Sequence, residues 1–291
     1  MAEVILAKSA GFCFGVRRAV DTVYKEIEKC KENGEPIYTF GPIIHNEQVV
    51  MDLENKGVTV VNSVGEFSLL KKGTVIIRSH GVSKEIFDEL TASGHNIIDC
   101  TCPFVKKIHR TVMEKGNEGY EIIIIGNDKH PEVEGIKGWC VTKNTVINNE
   151  DEAMNFETSE NKKICVVSQT TFNYNKFNKL VEILGKKLYD IIVVNTICNA
   201  TNERQLEAAQ IAQSVDMMVV IGGKTSSNTQ KLYEICKDKC DKTIYVQTAA
   251  DLEIEKLLPS EKIGITAGAS TPKNIIEEVQ KFCQNYVLYK C

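Results

Sequence analysis

The stretch AGFCFGVRRAV, residues 10–20, sets Cys13 between two phenylalanines at the start of a helical pattern. Val16, Val20, Val23 and Ile27 then recur at helical spacing. No second cysteine follows within a few positions, so a zinc knuckle or a redox pair of neighbouring thiols has nothing to form from locally. Any partners of Cys13 must come from elsewhere in the chain.

They are found by following the same pattern outward. Cys102 precedes a helical stretch with Val105, Ile108 and Val112, and Cys198 precedes one with Ala208, Ile211, Ala212 and Val215. Strand-like apolar runs alternate with these helices: IYTFGPII (37–44), TVIIRS (74–79), EIIIIG (121–126), KICVVS (163–168), DMMVVIG (216–222) and KIGITAG (262–268). Such alternation is the mark of α/β architecture with parallel sheets and crossover helices. About thirty residues after each cysteine comes a polar loop: HNE at 45–47, HPE at 130–132 and SSN at 226–228. About seventy residues after each comes a second: SHG at 79–81, QTT at 169–171 and GAS at 268–270. A repeat of about ninety residues is too long for a solenoid module and suits a small α/β domain. The expected fold is therefore a trefoil-like arrangement of three pseudo-repeated α/β domains, 1–101, 102–197 and 198–291, each sending one cysteine toward a common centre. Loops at the carboxyl ends of parallel strands would line that centre.

Bulk properties exclude several classes. Hydrophobic residues make up 43% and charged residues 25% of the 291-residue chain, as in an ordinary globular protein. A net charge of −4 argues against a nucleic-acid partner. No apolar run is long enough to span a membrane, and the N-terminus does not read as a signal peptide, so the expected location is cytoplasmic. There the 11 cysteines stay reduced, and most are expected to be small core residues.

Three thiolates from distant segments suit a metal centre. Zinc takes four ligands, or three plus water. A [4Fe–4S] cluster held by three cysteines would leave one iron without a protein ligand, able to act as a Lewis acid while the cluster supplies electrons. The polar loops carry His45, His80 and His130, with Thr170, Ser226, Ser227, Asn228 and Ser270 as smaller donors. Such donors suit the many acceptor oxygens of a diphosphate. No phosphate-binding P-loop and no well-placed dinucleotide fingerprint is present. Glu132, two positions after His130, is a carboxyl able to deliver protons.

In the order AGFCFGVRRAV, GPIIHN, RSHGV, DCTCPFV, HPEVEG, SQTT, NTICNAT, SSN and TAGAS, these segments resemble the 4-hydroxy-3-methylbut-2-enyl diphosphate reductases, iron–sulfur enzymes of the non-mevalonate isoprenoid pathway. The resemblance covers nearly the whole chain and implies the trefoil-like fold. It implies Cys13, Cys102 and Cys198 as ligands of a [4Fe–4S] cluster. It implies His45, His80, His130, Thr170, Ser226, Ser227, Asn228 and Ser270 as substrate-binding residues, and Glu132 as the proton-delivering acid. The implied reaction removes the terminal hydroxyl of an allylic diphosphate as water, with two electrons and two protons, giving isopentenyl and dimethylallyl diphosphate. The implied electron donor is ferredoxin- or flavodoxin-like. A quinolinate synthase-like cluster enzyme and a non-catalytic metal sensor are the alternatives to be separated from it.

Other residues have plainer expectations. Cys100 is an extra thiol beside Cys102, expected in the core, with a rescue ligand as the alternative. Cys30, Cys165, Cys236 and Cys240 are expected to pack, the last two, four apart on a helix, with a metal clip as the alternative; Cys283 and Cys291 lie near the C-terminus with the same plain expectation, and Cys140 is uninformative. Phe12 and Phe14 are expected either around the thiol centre or in the core. Arg17 and Arg18 are expected on a solvated helix face, with a role in the local positive field left open. Glu134 is expected to be solvated.

Overall fold

In the computed structural model, residues 3–158, 162–187, 190–253 and 261–289 are described. The chain divides into two compact units, Met1–Val16, His45–Val49 and Asn199–Cys291 forming one, Arg17–Ile44 and Val50–Cys198 the other. Among the described residues the strands form three four-stranded sheets, and every strand pair is parallel. The expected α/β fold class is therefore observed.

The first unit is built on β1 (Glu3–Leu6), β10 (Met217–Ile221), β11 (Thr243–Val246) and β12 (Lys262–Ala267), in the order β1-β12-β10-β11. Val4 stands opposite Ile263, and Val219 opposite Ile265. Side chains along a strand alternate between the two faces of its sheet. Met217, Val219 and Ile221 pack with Ile275, Ile276 and Val279 of α10 (Lys273–Tyr289). Met218 and Val220 pack on the other face with Ala208 and Ala212 of α8 (Asn199–Ala212) and Leu232 and Cys236 of α9 (Ser227–Lys239). Val215, expected on the helix after Cys198, lies beyond its last turn and caps the same cluster from the loop.

The second unit holds two sheets. One has the order β3-β2-β4-β5, with β2 (Ile37–Phe40), β3 (Val58–Val61), β4 (Thr74–Ile77) and β5 (Asn96–Asp99). Tyr38, Phe40, Val75 and Ile77 pack there with Phe67 and with Leu90 of α3 (Lys84–Ala92). The other has the order β7-β6-β8-β9, with β6 (Glu121–Ile125), β7 (Asn144–Ile147), β8 (Lys163–Ser168) and β9 (Asp190–Val193). Ile123, Ile125, Ile164 and Val166 face Phe177, Leu180 and Leu184 of α7 (Tyr174–Gly185). Ile122, Ile124, Cys165 and Val167 face α4 (Pro103–Asn117) and α5 (Pro131–Trp139) through Ile108, Val112, Val133 and Ile136. Each fully buried isoleucine of this kind contributes on the order of 2 kcal/mol.

The six apolar runs read from the sequence are the two inner strands of each sheet. Inner strands of a covered parallel sheet are buried on both faces and so read as continuous apolar runs. The first run, however, ends as a strand at Phe40, where Gly41 turns the chain at φ 67°. The helix after Cys13, α1 (Phe14–Asn33), buries Val20, Val23 and Ile27 as its spacing predicts. The remaining helices are α2 (Glu47–Asn55) and α6 (Glu150–Asn155).

Candidate active site

Every polar loop singled out above follows the carboxyl end of an inner strand: β2, β4, β6, β8, β10 and β12. Each cysteine of the trio follows the carboxyl end of an outer strand: β1, β5 and β9. The first loop of each repeat opens a helix. Asn46 Oδ1 accepts from Val49 N at the start of α2 (3.1 Å). His130 caps α5, with Pro131 in the first turn, and its Nδ1 accepts from Glu132 N (3.1 Å). Ser226 caps α9, its Oγ accepting from Thr229 N (3.3 Å) and Thr229 Oγ1 (2.9 Å). Helix N-termini attract anions through their exposed N–H groups and dipole. Accepting at Nδ1 puts the His130 ring proton on Nε2, a donor suited to a phosphate oxygen.

In the second unit Glu132 is 2% exposed and rides on the first turn of α5. Its Oε1 accepts from Thr170 N (2.6 Å) and its Oε2 from Thr170 Oγ1 (2.7 Å). Burial pushes its carboxyl up to about 7, against the lowering effect of those two donors. His80 and His130 also meet in this unit, edge to face with ring centroids 5.3 Å apart. The His80 loop turns at Gly81, φ 71°, where a Cβ would lie 2.9 Å from both His109 Cε1 and Thr101 Cγ2.

In the first unit the same construction carries an amide. Asn228 is 4% exposed on the first turn of α9, and its Oδ1 accepts from Ala269 N (3.0 Å). Its Nδ2 is buried without a hydrogen-bond partner among the described residues. Ser270 Oγ donates to the His45 carbonyl (3.0 Å) and lies 3.3 Å from Ser226 Oγ. Gly223 admits the His45 carbonyl, which would stand 2.8 Å from a Cβ there. Ser227 opens α9 beside Asn228.

The three cysteines share one setting. Each lies immediately before a helix, with Cys102 capping α4 ahead of Pro103. Each backbone N–H is spent on the second loop of its sheet: Cys13 N on Ala269 O (3.3 Å), Cys102 N on Ser79 O (2.9 Å) and Cys198 N on Thr170 O (3.1 Å). All three residues are partly exposed, as is Cys140, whereas Cys30, Cys100, Cys165, Cys236, Cys240 and Cys283 are buried. Three accessible thiols with an identical backbone anchor fit a cluster-ligand set, and the buried ones fit the core role expected of them. Cys100 is 2% exposed and burial raises its thiol pKa, which suits a neutral core group. Cys291 lies outside the described residues.

Two residues depart from expectation, and a third, Arg204, carried none. Phe14 is 65% exposed, so it belongs to no core. Arg18 is not merely solvated: its Nη2 donates to Thr101 O (2.6 Å), while Arg17 is exposed. Arg204, never singled out, is 3% exposed and donates to the Ser9 carbonyl from Nε (2.9 Å) and Nη2 (2.5 Å), and to Gly11 O from Nη2 (2.9 Å). No local signal marks either arginine, because its partner lies in a distant stretch of chain. Glu134 is exposed, as expected.

A sequence model of the LytB protein family matches residues 4–284. Among curated proteins, the 4-hydroxy-3-methylbut-2-enyl diphosphate reductase of Caldanaerobacter subterraneus subsp. tengcongensis is 48% identical over 277 residues, covering 95% of each chain. That of Clostridioides difficile is 46% identical over 283 residues, covering 97% of this chain and 99% of its own. Among solved structures, the E-1-hydroxy-2-methyl-but-2-enyl-4-diphosphate reductase of Plasmodium falciparum superposes with a TM-score of 0.89 at 31% identity, over 98% of this chain and 87% of that one. A second, described as the terminal enzyme of the non-mevalonate pathway, has a TM-score of 0.68 at 40% identity, over 98% and 100%.

Proposed function

The chain belongs to the LytB family, an oxidoreductase of the 4-hydroxy-3-methylbut-2-enyl diphosphate reductase type, and we propose that it removes the terminal hydroxyl of that substrate at a [4Fe–4S] cluster. Substrate, two electrons and two protons would give isopentenyl or dimethylallyl diphosphate and one water. The observation that carries this reading is Glu132: a buried carboxyl with a pKa of about 7, held by both donors of Thr170. A carboxyl in that range is protonated often enough at neutral pH to act as an acid. Once it has given up its proton, Thr170 N–H and O–H stay in place to stabilise the carboxylate. The family match favours this reading over the quinolinate synthase-like and sensor alternatives.

Cys13, Cys102 and Cys198 would hold the cluster, supported by their shared exposure and backbone anchoring. When bound, the cluster supplies the electrons and a Lewis-acid iron. His45, His80 and His130 would bind the diphosphate with Thr170, Ser226, Ser227, Asn228 and Ser270. The unspent buried Nδ2 of Asn228 supports this, because such a donor costs stability until an acceptor arrives. The repeat division 1–101, 102–197 and 198–291 belongs to the same proposal, supported by the three four-stranded sheets, with β1 standing in the sheet of the third repeat. The electron donor would be ferredoxin- or flavodoxin-like, supplying one electron at a time. The test is anaerobic purification followed by iron analysis and turnover with a chemical reductant. About four irons per chain and formation of the two C5 diphosphates are expected. A colourless, iron-free protein that is folded and active would sink the proposal.

A further inference from the structure

We propose that Arg18 and Arg204 are positioning residues for two of the cysteines, each sent out by the helix after one cysteine to grip the chain just ahead of the next. This rests on the assignment of Cys13 and Cys102 as cluster ligands. Arg18 lies on α1, which follows Cys13, and holds Thr101 O. Arg204 lies on α8, which follows Cys198, and holds Ser9 O and Gly11 O.

The geometry shows what each grip does. Thr101 O and Cys102 N belong to one peptide group. Arg18 holds its oxygen at 2.6 Å, and Ser79 O holds its N–H at 2.9 Å. The preceding N–H, of Thr101, is held by Asp99 Oδ1 at 2.8 Å. The peptide plane entering Cys102 is thus pinned at both poles, and the Cys102 carbonyl accepts from Lys106 N (2.9 Å), so the backbone on both sides of the thiol is held. Ahead of Cys13 the grip is broader. Arg204 spans the carbonyls of Ser9 and Gly11, while Glu207, three residues along α8, accepts from Lys8 N (2.8 Å) and from Ser9 N (2.9 Å). Gly11 itself sits at φ 100°, a conformation only glycine adopts cheaply, so the loop needs outside support to keep one shape. A charged donor to a carbonyl is about twice as strong as a neutral one. Groups that orient metal ligands from behind are worth about ten- to a hundredfold in metal retention.

The two grips make different demands on the donor. Arg18 uses one nitrogen, Nη2, which a lysine ammonium can imitate. Arg204 uses two nitrogens on two carbonyls, a fork that lysine cannot reproduce.

The test uses the anaerobically purified, cluster-loaded full chain and follows iron loss to a chelator by absorbance. Arg18→Met and Arg204→Met are expected to lose iron about tenfold faster than wild type or more. Arg18→Lys is expected to recover most of that loss, and Arg204→Lys little of it. The exposed neighbour serves as control, with Arg17→Met losing iron at the wild-type rate. Melting of the iron-free proteins is measured alongside. Arg204 is almost fully buried, so its Met variant can fail to fold, and the Arg18 series then decides. Iron loss from Arg18→Met at the wild-type rate overturns the proposal, whatever its melting temperature. So does an Arg18→Lys variant no better than Arg18→Met. A wild-type protein that holds no iron defeats the cluster assignment instead, before any variant is compared.

Discussion

Two loops of this molecule share one backbone construction and differ in their side chains, most tellingly at Glu132 and Asn228. In the second unit the first turn of α5 carries Glu132, whose oxygen takes the N–H of Thr170. The carbonyl of Thr170 takes the N–H of Cys198. In the first unit the first turn of α9 carries Asn228, whose oxygen takes the N–H of Ala269, and the carbonyl of Ala269 takes the N–H of Cys13. Helix cap, peptide and cysteine follow in the same order. An acid is able to move a proton, whereas an amide can only lend a hydrogen bond. The scaffold supplies position, and the side chain supplies chemistry.

The comparison breaks most visibly at the acid. Glu132→Gln gives the second loop an amide like the first, and turnover should fall about 10²- to 10⁴-fold while iron content holds. Steady-state rates beside iron analysis check this; unchanged turnover would remove Glu132 from proton delivery. The acid should also leave its mark on stability. Its folded pKa, about 7, lies above its ordinary value of 4.5, so the folded state binds the extra proton between those pH values. Stability is therefore full below about pH 4.5 and declines as pH rises through 7, by about 3 kcal/mol for this group alone. Denaturant unfolding of the iron-free protein at pH 5 and pH 8 should show that loss in wild type and lack it in Glu132→Gln.

The amide loop should respond more gently. Asn228→Ala removes a donor that the folded chain itself leaves unspent, so KM should rise about tenfold with little change in kcat. A fall in kcat at constant KM would instead assign Asn228 a role in the chemical step. The smallest change expected is from Thr170→Val, which deletes the hydroxyl that lowers the Glu132 pKa. The high-pH limb of the rate profile should move upward by about one pH unit. A limb that does not move would show that a different group sets it.

The limits of the sequence follow from which residues are buried on both sides. Ile122–Ile125 and Met217–Ile221 lie between two layers of helix, so their apolar character is unbroken and they announce themselves. The strands flanking them do not. Asp190–Val193 and Asn96–Asp99 are partly exposed four-residue strands, too short for an alternation to stand out. Yet these outer strands deliver Cys102 and Cys198. The trio of cysteines was legible as a pattern because it recurs with the loops. The arginine grips were not legible, since the groups that Arg18 and Arg204 hold here are backbone carbonyls, which every residue carries.

The pairing of β1 with β12 has a consequence for how the protein is made. Glu3–Leu6 is made long before its strand partner among the described residues, Lys262–Ala267. Contacts so distant in sequence form slowly, and apolar edges wait exposed until they do. The anchor of Cys13, the Ala269 carbonyl, comes later still. Cys102 and Cys198 can reach their final backbone setting before residue 262 is made, whereas Cys13 must wait for residue 269. On the proposed ligand set, a nascent chain stalled before residue 262 should therefore take up no stable iron.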